Sequence, residues 1–513
     1  MTRVNSSDAD APAAAAAADL GFIDVNTQIG PVHGNAAGAT AADLLRERRS
    51  HGIRYALVRH RNALMGDTRY GNRELLEACE ADPGLLPVAV LLPQRTDNLD
   101  EATGLGTRVA GFWLEGRATP GGVSVASAQL IRAAARTGKP LFVQIGPYGD
   151  ASSIGAATAD LGVPVVLSGW HYDNSVDTIA AARRYDHLHL DTGRAAHMGA
   201  IEIAVGAIGA ERVLLGSGAP LRAIQSSVNA ILTARISDDA KRQVLGRNAA
   251  RILGLAAPEI TLPTVRKPAR NVDVHTHSGP LPWDANDLGN DQLVVELHRQ
   301  TNTTYAVASN ILAIAADTEA GNREMVAGCR TIEGRVGYLV ADPNDIEATR
   351  DQLRRWGDAP GIVGVKIHCQ WSHNLTGSKN IWNLFTVLAD YGKPVKIHND
   401  GDDWDEHLLR IAREHPRLPI VIAHGGLGFP DLPGARLAAA ADNVYFEMCS
   451  SFAQIPTVRE IVKIVPRHKF LFGTDAPLLE PSFVLGTYQD AGFPEDQQDA
   501  VYYENAARVY GLS

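Results

Sequence analysis

Short apolar runs recur along the chain, each followed by a stretch with helical periodicity. In the second half they fall at 271–275, 304–309, 336–341, 361–368, 394–398, 419–423, 443–448 and 469–473, with amphipathic stretches such as DEHLLRIAREH (405–415) between most of them. The first half repeats the rhythm at 22–26, 54–59, 86–92, 108–114, 140–145, 163–168, 187–191 and 212–216. Near-continuous apolar runs alternating with helices predict parallel strands covered on both faces. Eight such units in roughly 245 residues predict an α/β fold of the (β/α)8 TIM-barrel type. A doubly wound open sheet has a similar rhythm. Polar residues gathered at strand C-termini around the whole set favour the barrel.

The halves also agree residue by residue. GFIDVNTQIGPVHG (21–34) parallels NVDVHTHSGPLP (271–282), with Asp24 matching Asp273. GNRE recurs at 71–74 and 321–324, and GKP at 138–140 and 392–394. GSGAPL (216–221) parallels GTDAPL (473–478), and RNAARILGL (247–255) parallels ENAARVYGL (504–512). The matches are collinear at a spacing that drifts only from about 249 to about 257 residues, the mark of an internal duplication. Two tandem barrels are therefore expected, over 19–256 and 271–513. The proline-punctuated stretch 257–270 reads as a linker. Residues 1–18, alanine-rich and without the Leu-rich core of a signal peptide, read as a disordered tail.

Composition narrows the function classes. Hydrophobic residues at 45% and charged residues at 21% are those of a soluble globular protein. A net charge of −10 excludes a chain that grips nucleic acid over its whole surface. No apolar run reaches the ~18 residues of a membrane span. Four cysteines without a C-x-x-C pair argue against a disulfide framework and fit a reducing, cytoplasmic setting. Cys369 and Cys449 read as small buried apolar residues. Neither a nucleotide-binding glycine motif nor a GxSxG elbow occurs. The expected partner is a small-molecule substrate. Two fused barrels either replace a homodimer or form a larger homo-oligomer.

The chemistry collects at strand ends of the second half. The first strand closes on Asp273-Val274-His275-Thr276-His277, and residues two apart on a strand share a face, so both imidazoles face the barrel axis. The fourth strand carries Lys366 and His368, the fifth Lys396 and His398, the sixth ends at His424 and the eighth at Asp475. Imidazoles and a carboxylate suit one divalent transition metal, zinc first and manganese or iron as alternatives. Lys366, His368 and Lys396 point inward by alternation and are candidates to bind a substrate anion; Lys396 has the alternative of lying deep, paired with Glu447. The segment 370–382, mixing aromatic and polar residues, is a candidate substrate loop or a plain surface excursion.

DVHTH, KIH on strand five, AHGG on strand six, GTDAP on strand eight and the closing ENAARVYGL resemble the amidohydrolase superfamily. Within it they resemble the amidohydrolase-related branch of metal-dependent hydrolases and non-oxidative decarboxylases. The resemblance implies a distorted TIM barrel in which His275, His277, His398 and Asp475 are metal ligands. It implies that His424 handles substrate, and that Lys366 either binds a substrate anion or, carboxylated, bridges two metals. The expected activity is hydrolysis of a small, carboxylate-bearing substrate by a metal-activated water. Asp475 would carry the proton and His424 would donate to the developing oxyanion. The alternatives are non-oxidative decarboxylation on the same ligand set, and a non-catalytic binding or scaffold protein that keeps a metal.

The first half lacks the set. Asn26 stands for His275, Gln28 for His277, Gln144 for His398, Gly169 for His424 and Gly218 for Asp475. Amides and glycines do not replace imidazoles, so this copy is expected to be metal-free. It serves either as a built-in structural subunit or, through Trp113, Gln144, Trp170, His171 and Tyr172, as a ligand pocket or partner surface.

Overall fold

The computed structural model describes residues 18–32, 35–92, 104–115, 123–146, 148–281 and 290–513. The expected tail therefore lies almost wholly outside the described residues. In the first half, β1 (Phe22–Val32), β2 (Asn35–Ala39), β3 (Ile53–His60), β4 (Leu85–Leu91), β5 (Gly111–Glu115), β6 (Leu141–Gln144), β7 (Val165–Ser168), β8 (Leu188–Asp191) and β9 (Val213–Leu214) form one sheet. In the second, β10 (Asn271–Ser278), β11 (Thr303–Asn310), β12 (Arg335–Val340), β13 (Ile362–His368), β14 (Val395–His398), β15 (Ile420–Ile422), β16 (Val444–Glu447) and β17 (Phe470–Leu471) form another, in sequential order. Every pair is parallel except β1 with β2, a short hairpin. The pattern of apolar runs did not announce β2, because its sequence NAAGA has no β-branched residue.

Each sheet closes on itself. A bridge joins Thr27 to Ala219 in the first half and Thr276 to Ala476 in the second. Beside each bridge a buried aspartate ties the first strand to the last. Asp273 accepts from Thr474 Oγ1 at 2.6 Å and from the Thr474 and His275 amides, and Asp24 plays the same part with Ser217. The molecule is thus two tandem (β/α)8 barrels. The lower end of the second is plugged by Tyr503, Ala506 and Tyr510, which pack on Val272, Val274 and Tyr338. Ala249 and Ala250 do the same for the first. The closing repeat at each end of the duplication is therefore a barrel plug.

The barrels meet mouth to mouth. The helix Ile224–Thr233 follows the last strand of the first barrel, and its repeat equivalent Pro481–Asp490 follows that of the second. The two pack against each other so closely that a Cβ on Gly486 would fall 2.3 Å from the Ser226 nitrogen. Ser226 meets Thr487, Thr233 meets Ser482, and Asn229 donates to Gln489. Equivalent surfaces facing each other are the arrangement of a two-fold dimer, here within one chain. His51 pairs with Asp490 at 2.9 Å and Arg459 with Glu47 at 2.6 Å around this contact. The linker is ordered on the first barrel: Ile260 is buried and Thr261 donates to Leu20. Among the described residues no helix is long and apolar enough to cross a membrane. All four cysteines are unpaired.

Candidate metal centre and its cavity

β10 delivers His275 and His277 to the barrel axis, both buried, with ring centroids 5.3 Å apart. The turn after β17 delivers Asp475. Its φ of +66° is the left-handed conformation that aspartate tolerates better than most residues. Its amide donates to the His275 carbonyl at 2.7 Å, which fixes the carboxylate over the two rings. Asp475 Oδ1 lies 3.0 Å from His277 Nε2 and 3.5 Å from His275 Nε2. Ligands ~2.1 Å from one tetrahedral ion stand ~3.4 Å apart, so this spacing fits a shared metal. Lys366 Nζ also approaches His275 Nε2, at 3.3 Å.

The rings are held in the form a metal needs. Burial, with the charges of Lys396 and Lys366, keeps His275 well below the usual histidine range. Burial also lowers His277, although Asp475 opposes it. Both are neutral imidazoles with a lone pair to give. Burial alone would raise Asp475. The contact with His277 and the neighbouring His424 and Lys366 outweigh it and hold the carboxylate below its usual range. His275 Nδ1 sits 2.6 Å from Glu447 Oε1, which directs the Nε2 lone pair at Asp475.

Sequence reasoning passed over two residues here. Glu447 entered only as a partner for Lys396, and Cys449 as apolar filling. Glu447 also accepts from the His424 and Cys449 amides. The Cys449 sulfur lies 3.2 Å from His275 Nδ1 and 3.3 Å from His424 Nδ1. His275, His424, Glu447 and Cys449 form a second group of donor atoms beside His275, His277 and Asp475. Burial and the Glu447 and Asp475 charges push the Cys449 thiol well above its usual range, so it is neutral. The available signal was the spacing of two from Glu447 to Cys449 at the end of β16.

The other expected residues divide. His398 does not join the cluster of three. The parallel register pairs His368 with His398, and their rings stack at 4.1 Å with 12° between planes. His398 is 4.8 Å, ring to ring, from His424. Lys366 and His368 line the cavity. Lys396 does not line it. It is buried, 3.2 Å from Glu447 Oε1, and donates to the Val274 carbonyl, so the deep alternative describes it and the anion-binding role is withdrawn. His424, at φ +59°, donates Nδ1–H to the Cys449 carbonyl at 2.9 Å. The neutral ring then has its lone pair on Nε2 and donates there only as imidazolium.

The first barrel fills the corresponding place with its own side chains. Arg59 donates to Asn26 Oδ1 at 2.6 Å and lies 3.8 Å over the Trp113 ring. Asn26 in turn reaches the buried Asp191 at 3.2 Å. The register that pairs Lys366 with Lys396 pairs Trp113 with Phe142, so two aromatic rings occupy the interior that two lysines hold in the other copy. A Cβ on Gly169, whose φ is +95°, would lie 2.6 Å from the Ile145 carbonyl oxygen, leaving no room for a histidine. Gly218 keeps a φ of +81°, so the turn of Asp475 survives without its carboxylate. Trp113 and Trp170 are core residues and not pocket walls. His171 contacts Ser451 of the other barrel, and Tyr172 alone of that set lines the cavity above the second barrel's donor cluster.

That cavity, of about 790 Å³, opens above His275, His277 and Asp475. Its walls are the second barrel's strand ends and loops, including Trp371 of the 370–382 segment. Its roof comes from the first barrel: Gln28, Arg61, Tyr172, Asp173, Leu221 and Arg222.

Residues 272–512 match the family profile described as Amidohydrolase. Protein fluG of Emericella nidulans is 24% identical over 231 residues, 42% of this chain and 25% of that protein. The aligned region thus spans about a quarter of the length of the curated relative. Among solved structures, 2,6-dihydroxybenzoate decarboxylase from Rhizobium covers 48% of this chain over 99% of its own, at 14% identity and TM-score 0.39. The 5-carboxyvanillate decarboxylase of Novosphingobium aromaticivorans, complexed with manganese and 4-hydroxy-3-methoxy-5-nitrobenzoic acid, covers 43% over 79% of its own, at 16% and 0.36.

Proposed function

Residues 272–512 match the amidohydrolase profile, and we propose that the second barrel is a metal-dependent hydrolase acting on a small carboxylate-bearing substrate. The observation that carries this reading is Asp475 Oδ1, within 3.0 and 3.5 Å of two neutral imidazole nitrogens at the floor of a cavity. His275, His277 and Asp475 would hold the ion. His398, one ring away beyond His424, would complete the set by a change of side-chain rotamer. A divalent ion held there supplies Lewis acidity and lowers the pKa of a water to ~7.

The chain's own groups would do the rest. Asp475, ionised and facing the cavity, takes the proton of the attacking water on its carboxylate and returns it to the leaving group. Glu447 holds the His275 ring in one tautomer, so its lone pair does not wander. His424 has its Nδ1 proton committed to the Cys449 carbonyl, so Nε2 addresses the substrate. As imidazolium it donates to the oxygen on which charge develops. A second reading, non-oxidative decarboxylation, is favoured by the exposed Trp371, Phe429 and Phe452 on the cavity wall, which suit a flat ring. Release of carbon dioxide against release of a hydrolytic product separates the two.

The test is metal content by plasma mass spectrometry on the wild type and on His275→Ala/His277→Ala. About one zinc, manganese or iron per chain, lost in the variant, is the expected result. Two ions per chain would instead support a carboxylated Lys366. A wild type that takes up no metal on reconstitution would sink the reading.

A further inference from the structure

The roof of the cavity is built from a barrel that lacks the site's donor set, and it presents two guanidinium groups to the cavity. Arg222 follows the last strand of the first barrel and crosses the mouth-to-mouth contact. It donates to the Ser451 carbonyl and lies 5.9 Å from the Phe452 ring centroid, both in the second barrel. Arg61 donates to the Pro31 carbonyl at 3.2 Å and to Gln28 Oε1 at 3.2 Å. Among the described residues, no carboxylate lies within ion-pair distance of either. The roof carboxylate, Asp173, is engaged by His171 Nδ1 at 3.3 Å. A desolvated cation that meets only carbonyl and amide oxygens is costly, and a bound anion relieves that cost. Burial and the Arg194 charge have already brought Arg222 down to about 10, as such a position requires.

The repeat sharpens the point. Leu221 and Arg222 are the equivalents of Leu478 and Leu479, and all four line this one cavity. In a dimer of identical barrels, the residue roofing each cavity would have to be the residue at the same turn of the site itself. Duplication within one chain releases that constraint: the turn after β17 keeps leucine beside Asp475, and the turn after β9 carries arginine at the same place.

We propose that the first barrel is the substrate-recognition wall of the second barrel's site, and that Arg222, assisted by Arg61, binds a carboxylate of the substrate remote from the reacting carbon. This rests on the reading of the second barrel as a metal enzyme, and it gives the substrate one oxygen function at the floor and one carboxylate at the roof. Arg222 is a specificity residue supplied by a barrel without the metal ligands.

The experiment is isothermal titration of the metal-loaded full chain with two matched pairs of probes, isophthalate against benzoate and glutarate against butyrate. The wild type, Arg222→Gln and Arg222→Lys are compared, with metal content and melting temperature measured on each. The expected result is that at least one dicarboxylate binds the wild type ~10-fold or more tighter than its monocarboxylate partner. Arg222→Gln abolishes that preference at unchanged metal content, and Arg222→Lys keeps part of it, because an ammonium preserves charge without the bidentate fork. No dicarboxylate preference in either pair, or a preference that Arg222→Gln leaves intact, overturns the inference. If Arg222→Gln does not fold, Arg222→Lys decides: an unchanged preference overturns, a several-fold loss supports. Wild-type protein that takes up no metal yet keeps the Arg222-dependent preference would remove the enzyme reading and leave the roof site standing. Metal uptake without the preference would remove the roof site alone.

Discussion

Glu447 concentrates more of the centre's architecture than any predicted ligand does. Its carboxylate meets His275 Nδ1, Lys396 Nζ and the amides of His424 and Cys449. Burial alone would raise it; the Lys396 and His424 charges and the two amides hold it ionised. Glu447→Gln should weaken metal affinity by roughly 10–100-fold, because the ring of His275 loses its fixed tautomer. Retention of metal against a graded chelator measures this, and wild-type retention in the variant would remove the orienting role. At this scale, strand alternation puts His275 and His277 on one face and the end of the eighth strand supplies Asp475, and the structure brings these three side chains together. Alternation could not read His398 in the same way, since which way a ring turns depends on its neighbour in register, His368. Glu447 and Lys396 were legible only as a pair, because burial decides whether a charged residue at a strand end meets substrate or another charge.

At the scale of elements, the strands were legible because parallel strands covered on both faces read as unbroken apolar runs. The hairpin strand β2 has no such run. Nor does sequence periodicity announce that the helices Ile224–Thr233 and Pro481–Asp490 meet: both mix apolar residues with small polar ones that are buried in the contact, a pattern that names no partner. Gly486 is what lets them touch. Gly486→Leu should cost about 1–3 kcal/mol or more by forcing the helices apart. Gly206→Ala, on a helix with open space around the added Cβ, should be neutral or slightly stabilising. Thermal melts of the two variants check this, and equal melting temperatures would mean that the helix contact carries no stability.

At the scale of the whole molecule, the duplication predicted two barrels but not how they face each other. That was visible only in side chains such as His51 and Asp490, more than four hundred residues apart in the chain. Burial by itself disfavours a charged His51. The Asp490 charge and hydrogen bond, with Glu47, outweigh it and lift the ring from 6.5 to about 9. A raised pKa means that the pair's stabilisation is fully present below pH 6.5 and is lost as pH climbs through 9. His51→Gln should therefore flatten the fall in melting temperature between those values. A variant that melts with the wild-type pH profile would show that the pair does not fasten the barrels.

The tether between the barrels bears on dilution. Joined by residues 257–270, roof and floor meet at an effective concentration on the order of millimolar, whatever the amount of protein in solution. A site shared between separate barrels would come apart as the protein thinned out. Here the cavity stays whole in a single molecule, and specific activity should be the same at nanomolar as at micromolar enzyme.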